Sequence, residues 1–136
     1  MDYRSVLTTC TYCGCGCGFH LQVADGRITH TLPSKRSPVN EGKLCVKGWY
    51  VHEFVQDPTR LQRPLIRRGG GSLEETSWDE AMSYTASELQ RIKDAHGPDA
   101  IAFLASAKCT NEDNYVLQKF ARSVIGTNNV DHCARL

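Results

Sequence analysis

Cys10, Cys13, Cys15 and Cys17 crowd into one short stretch, and Cys45 follows alone after 27 intervening residues, within Gly42-Lys43-Leu44-Cys45-Val46-Lys47-Gly48. Thiolates are the soft ligands of zinc and of iron–sulfur clusters, and spacing separates the two. A zinc site made of four cysteines ordinarily presents two separated C-x2-C knuckles; here the second pair is absent. A cubane cluster takes three ligands from one tight loop and the fourth from a distant segment. The pattern therefore favours a [4Fe–4S] cluster, with zinc as the competing reading. Disulfides fit less well, because adjacent thiols close loops too short to remove much chain entropy and the bond geometry is demanding.

Cys10, Cys13 and Cys17 form a C-x2-C-x3-C loop, whereas using Cys15 would crowd two ligands one residue apart, so Cys15 reads as a bystander. The interleaved glycines let backbone amides turn toward sulfur. Lys47 is either a solvated lysine or a cation beside the cluster, contacting whatever lies beyond it. Cys109 and Cys133 read as small core residues. The five histidines show no ligand spacing. Gly69-Gly70-Gly71 lacks the register of a nucleotide fingerprint and reads as a turn, and Asn111 to Asn114 as a solvated helix cap.

These residues need elements to position them. Phe19, Leu21 and Val23 alternate with polar residues, Asp25-Gly26 supplies a tight turn, and Ile28, His30 and Leu32 alternate again, which predicts a β-hairpin directly after the cysteine cluster. A polar loop from Ser34 to Gly42 returns the chain to Cys45. Beyond Pro64 the composition changes. A small hairpin around the three glycines is followed by a helix that starts at a Ser77/Glu80 capping box and ends at Gly97-Pro98. Ala100 to Ala105 is a continuous apolar run, expected of a strand buried on both faces. A second capped helix from Thr110 and Asp113 closes at Gly126, and a short strand is expected near Asn129 to Asp131. The fold class is α+β: a small β-rich, cysteine-bearing domain over 1–63, then the beginning of an αβα-layered domain over 64–136. So few strands and helices cannot cover both faces of a sheet.

The chain has 136 residues, 40% hydrophobic and 23% charged, with a net charge of +1 from interspersed residues. Nothing in that balance attracts nucleic acid, and no apolar run approaches the ~20 residues of a membrane span. No secretory leader precedes the cysteines, so the thiols are expected in the reducing cytoplasm.

Taken together, Cys10-x2-Cys13-x3-Cys17, Gly42-Lys43-Leu44-Cys45-Val46-Lys47-Gly48, Ser77-Trp78-Asp79-Glu80-Ala81, Gly97-Pro98-Asp99-Ala100-Ile101, Asn114-Tyr115-x2-Gln118-Lys119-Phe120-Ala121-Arg122 and Ile125-Gly126-Thr127-Asn128-Asn129-Val130-Asp131-His132-Cys133-Ala134-Arg135 resemble the amino-terminal part of the catalytic (alpha) subunit of molybdenum- or tungsten-dependent formate dehydrogenases, in the bis-molybdopterin guanine dinucleotide oxidoreductase superfamily. The resemblance implies that Cys10, Cys13, Cys17 and Cys45 hold the cluster, that Lys47 lies on the electron path between cluster and pterin, and that 64–136 begins the molybdopterin-binding domain. It implies reversible oxidation of formate to carbon dioxide in the complete enzyme, with the remainder of the catalytic subunit, iron–sulfur subunits and a hydrogenase or NAD-reducing unit as partners. It also implies that a selenocysteine or cysteine ligand to the metal follows Leu136 and that this segment alone does not turn over formate. The ending suggests the hypothesis of a selenocysteine codon read as stop, which sequencing the codon after Leu136 tests. The alternative is a free-standing iron–sulfur electron carrier or assembly protein.

Overall fold

The computed structural model of the protein describes residues 2–133. Ala134 and Arg135, at the end of the last resemblance block, and Leu136 lie outside the described residues. The chain packs as two compact units. The first comprises the described residues of Met1–Arg60, Ala105–Val116 and His132–Leu136, and the second Leu61–Leu104 with Leu117–Asp131.

The first unit is built on a three-stranded antiparallel sheet of β1 (Tyr3–Thr9), β2 (Gly18–Ala24) and β3 (Arg27–Pro33), in that order. The predicted hairpin is β2 and β3, turning at Asp25 and Gly26, both at positive φ (47° and 79°), as a primed two-residue turn needs. β1 is not expected from the sequence. Its residues are nearly all exposed, so no buried face marks it, although it pairs with β2 from Tyr3↔Ala24 to Thr9↔Gly18. The alternation expected of β3 is also corrected. Thr31, 3% exposed, faces inward and Leu32 does not. A register irregularity between Gln22 and Val23 shifts the pairing, and a one-residue shift exchanges the faces. The buried Thr31 hydroxyl is satisfied by Nδ1 of His52 at 3.0 Å.

After β3, residues 34–44 form a chain of turns leading to Cys45 and a short helix, α1 (Val46–Tyr50). A 3-10 turn, Glu53–Gln56, follows. The Gln56 side chain accepts from Ile28 N (3.1 Å) and donates to Ile28 O (2.7 Å), tying that turn to the edge of β3. The core of the unit is Cys10, Phe19 and Val51, with Tyr12, Cys17, Leu21 and Leu44 packed against it. The cysteine loop is thus anchored in the core.

In the second unit, β4 (Leu65–Arg67) and β5 (Leu73–Glu75) form the expected hairpin. α2 (Trp78–His96) begins at Ser77, whose Oγ accepts from Glu80 N at 3.2 Å, and stops at Gly97 at φ 84°. Only half of the capping box forms, since the Glu80 carboxylate binds Thr76 Oγ1 and Arg68 instead of reaching back. The apolar stripe of α2 carries Trp78 and Met82 largely exposed among the described residues.

The strand expected to be buried on both faces is shorter and partly bare. β6 covers Phe103–Ser106, and Leu104 is 84% exposed among the described residues. Its partner β7 (Val130–Cys133) matches the expected final strand. Phe103 N donates to Asn129 O and Ala107 N to Cys133 O, the parallel pattern. α3 (Asn111–Phe120) starts at a reciprocal cap in which Thr110 Oγ1 accepts from Asp113 N and Asp113 Oδ2 accepts from Thr110 N, both at 3.1 Å. It widens into a π-helical turn over Ala121–Ile125, closed by Gly126 at φ 90°. Cys133 is exposed and Cys109 half-buried, so the reading of both as core residues is corrected.

Candidate metal centre

The cysteine loop is the connection of an antiparallel pair. β1 ends at Thr9 and β2 begins opposite it at Gly18, and Cys10 N donates to Cys17 O at 2.8 Å, so residues 10–17 form a loop pinned at its mouth. Cys10 is buried and Cys13 and Cys17 half-buried, while Cys15 and Cys45 are exposed. All five line one cavity of about 260 Å³, together with Tyr12, Lys47 and Lys108. The Cys15 and Cys17 sulfurs stand 3.5 Å apart.

The remote arm reaches the loop through Asn40. Gly18 N donates to Asn40 Oδ1 at 2.8 Å, and Asn40 Nδ2 donates to Gly18 O (3.1 Å) and Lys43 O (2.6 Å). One side chain thereby joins the residue after Cys17 to the segment before Cys45. Gly42, at φ 81°, turns the chain toward Cys45 where a Cβ would be strained. Asn111, at the start of α3, donates from Nδ2 to Gly14 O at 2.8 Å. A Cβ on Gly14 would come within 2.5 Å of Asn111 Oδ1, so a side chain there would displace the Asn111 amide from this contact. Lys47 places Nζ 5.4 Å from the centroid of the Tyr12 ring, a cation–π distance.

Burial pushes the Cys10 thiol above its ordinary range. An amide hydrogen bond from Tyr12 opposes that push, and the neighbouring thiols Cys13, Cys45 and Cys15 add to it. Burial, then the hydrogen bond and charge of Cys15, with Cys10 and Cys13, push Cys17 up to about 11. Thiols that suppress one another's ionisation in this way release protons when a metal takes their place.

Sulfur donors suit zinc and iron–sulfur clusters alike. A zinc site draws its thiolates to ~2.3 Å from one point, whereas a cubane spreads its cysteine ligands over separate iron corners. Five cysteines line one cavity of about 260 Å³ together with Lys47 and Lys108, a soft donor set with cationic neighbours that fits an anionic iron–sulfur group.

The family description "Molybdopterin oxidoreductase Fe4S4 domain" matches residues 3–57, and "Molybdopterin oxidoreductase" matches residues 60–136. The chain belongs to the molybdopterin oxidoreductase family. It carries the Fe4S4 domain followed by the start of the molybdopterin domain of that family. It is 56% identical over 136 residues to the F420-dependent formate dehydrogenase 1 subunit alpha of Methanococcus maripaludis, covering all of this chain and 19% of that protein. It is 49% identical over 139 residues to formate dehydrogenase H of Escherichia coli, covering 98% of this chain and 19% of that one. The chain thus spans about a fifth of the length of these relatives. In fold it resembles acetylene hydratase from Pelobacter acetylenicus, with a TM-score of 0.72 and 22% identity over 93% of this chain and 18% of that one.

The structure brings Cys10, Cys13, Cys17, Cys45 and Lys47 together around one cavity and adds Cys15 to them. Sequence reasoning missed Asn40, Asn111 and Lys108. Asn40 stands just before Glu41 and Gly42, both at positive φ, a place where asparagine commonly bonds nearby backbone. Asn111 and Lys108 had no local signal, because their relation to the loop is tertiary.

Proposed function

We propose that this chain is the cluster-bearing amino-terminal part of a formate dehydrogenase catalytic subunit. In this reading Cys10, Cys13, Cys17 and Cys45 hold one [4Fe–4S] cluster. Lys47 lies on the electron path between it and a bis-molybdopterin guanine dinucleotide bearing molybdenum or tungsten. The observation that carries the proposal is the single cavity lined by those four cysteines and Lys47, in a chain about half identical to formate dehydrogenase alpha subunits along its whole length.

When bound, the cluster supplies one-electron storage and relay. The protein's part is positional and electrostatic. Cys10 anchors the site in the core beside Phe19 and Val51, and Tyr12 and Leu44 cover it with apolar surface. Lys47, held over the Tyr12 ring, offsets the negative charge of four thiolates. Cys15 is a neighbour of Cys17 and not a ligand. Residues 1–63 form the cluster segment and 64–136 the first part of the molybdopterin-binding domain. Formate oxidation, or carbon dioxide reduction, belongs to the complete enzyme. There the rest of the subunit, iron–sulfur subunits and a hydrogenase or NAD-reducing unit are the partners. Use of free thiols favours a cytoplasmic setting; no helix among the described residues is long and apolar enough to cross a membrane.

Anaerobic reconstitution of the chain with iron and sulfide tests the reading. Four irons per chain are expected, with a brown chromophore that takes up one electron. Alanine at position 10, 13, 17 or 45 should abolish the four-iron form, and Cys15→Ala should keep it. A colourless zinc-only protein, or a four-iron form indifferent to Cys45→Ala, overturns it.

A further inference from the structure

Asn40 is 8% exposed, and its three hydrogen bonds all go to backbone of the two cysteine-bearing arms. Its Oδ1 accepts from Gly18 N, next to Cys17, and its Nδ2 donates to both Gly18 O and Lys43 O, the latter two residues before Cys45. Lys43 N in turn donates to Asn40 O at 2.7 Å, so residues 40–43 close as a turn around the same amide. Two carbonyls converging on one buried NH2 group require a donor there. An uncharged amide supplies that donor and an acceptor in one planar group.

The corner between these arms is also open to solvent, since Cys45 is exposed and Cys17 only half-buried. Cys17, Leu44 and Cys45 line the central cavity and, with Asn40, a second cavity of about 380 Å³. The Cys17–Cys45 side therefore faces two concavities, and the Asn40 amide links their backbones. Cys10, by contrast, sits in the core.

We propose that Asn40 is a positioning residue that holds the Cys45 arm against the Cys17 arm, and so keeps the iron at that corner from being lost to solvent or oxidant. This rests on the cluster assignment made above. Its consequence concerns which iron departs first. Loosening the tie frees the Cys45 arm while the pinned 10–17 loop keeps its own cysteines. With a one-electron oxidant such as ferricyanide, a bound [4Fe–4S]2+ cluster would give one electron to the oxidant and release the Cys45-side iron as Fe2+, leaving [3Fe–4S]+ on the loop.

The test compares Asn40→Asp, Asn40→Ala and, as a matched control, Gln56→Ala, all in the full chain. Asn40→Asp is isosteric and keeps the acceptor for Gly18 N, but turns an oxygen toward two carbonyls. It serves where the alanine variant fails to fold. Gln56 is likewise an amide bridging backbone, on Ile28, away from either cysteine arm. After reconstitution, mild oxidation is followed by the paramagnetic signal of the three-iron form and by iron released per chain.

Both Asn40 variants should convert to the three-iron form roughly tenfold faster than wild type, the scale of losing one or two net hydrogen bonds. Gln56→Ala should convert at the wild-type rate. Equal rates in wild type and Asn40→Asp, or complete cluster loss without a three-iron stage, overturn the positioning role. Failure of the wild-type chain to hold four irons overturns the cluster assignment itself, and is distinguishable because it appears before any variant is compared.

Discussion

Asn111 Nδ2 donates to the carbonyl of Gly14 at 2.8 Å, joining two residues 97 positions apart. The start of a helix in the later part of the sequence thus holds the middle of the cysteine loop, at a point where a Cβ would stand 2.5 Å from Asn111 Oδ1. Gly14→Ala and Asn111→Ala should each destabilise the chain by about 1 kcal/mol, the net worth of one hydrogen bond. Because both remove the same contact, the double variant should cost little more than either single one. Denaturant melts of the four proteins check this, and additive losses would show that the bond does not couple the two sites.

Lys47 bears on the electron path. A cation beside a cluster stabilises the reduced form, which carries one more negative charge. Lys47→Met should lower the reduction potential of the reconstituted chain, and Lys47→Arg should retain most of it. Potentiometric titration followed by electron paramagnetic resonance measures both. A Lys47→Met potential equal to wild type would remove the lysine from the electrostatics of the site.

The metal-free chain should lose stability in alkali. The Cys17 thiol is pushed up to about 11 from a reference of 9.0, so between those values the folded state holds a proton that the unfolded state has released. Stability present below about pH 9 is therefore lost as pH rises through about 11. Cys10, shifted in the same direction, adds to the effect. Thermal melts across that range should show a slope for wild type that is flatter for Cys17→Ser. Identical slopes would mean that Cys17 titrates alike in both states.

The cap of α2 provides a test in the second unit. Ser77 Oγ accepts from Glu80 N, and Ser77→Ala leaves that amide without its side-chain partner. A loss of about 1 kcal/mol is expected in chemical denaturation. Ser77→Asp, which restores an acceptor beside the positive end of the helix dipole, should recover it.

How much of this was legible beforehand differs by element. The hairpin at Asp25-Gly26, the hairpin around the three glycines, both capped helices and the final strand follow from turn residues and caps, which are local chemistry. β1 and the inward turn of Thr31 were not legible. An exposed edge strand carries no apolar alternation, and the Gln22/Val23 irregularity changes the face of β3 without altering its composition. Cys133 was misjudged for a related reason, since residue type sets the tendency to be buried but neighbours decide whether burial occurs, whereas the bare Leu104 matches the expectation that so few strands and helices cannot cover the sheet.

The sequence by itself determined the donor chemistry. Three thiols in a short glycine-spaced loop and a fourth after 27 residues point to a cluster, since ligand type and loop reach are properties of the chain; for Lys47 the residues alone left a solvated lysine and a cation beside the cluster both open. Tertiary structure decided what holds those thiols in place. The 10–17 loop is closed at its mouth because β1 and β2 pair on either side of it, the Cys45 arm is tied through Asn40, and Asn111 holds Gly14 from 97 positions away. Hydrogen bonds between distant segments depend on where folding brings their backbones, and no local pattern of residues encodes that meeting.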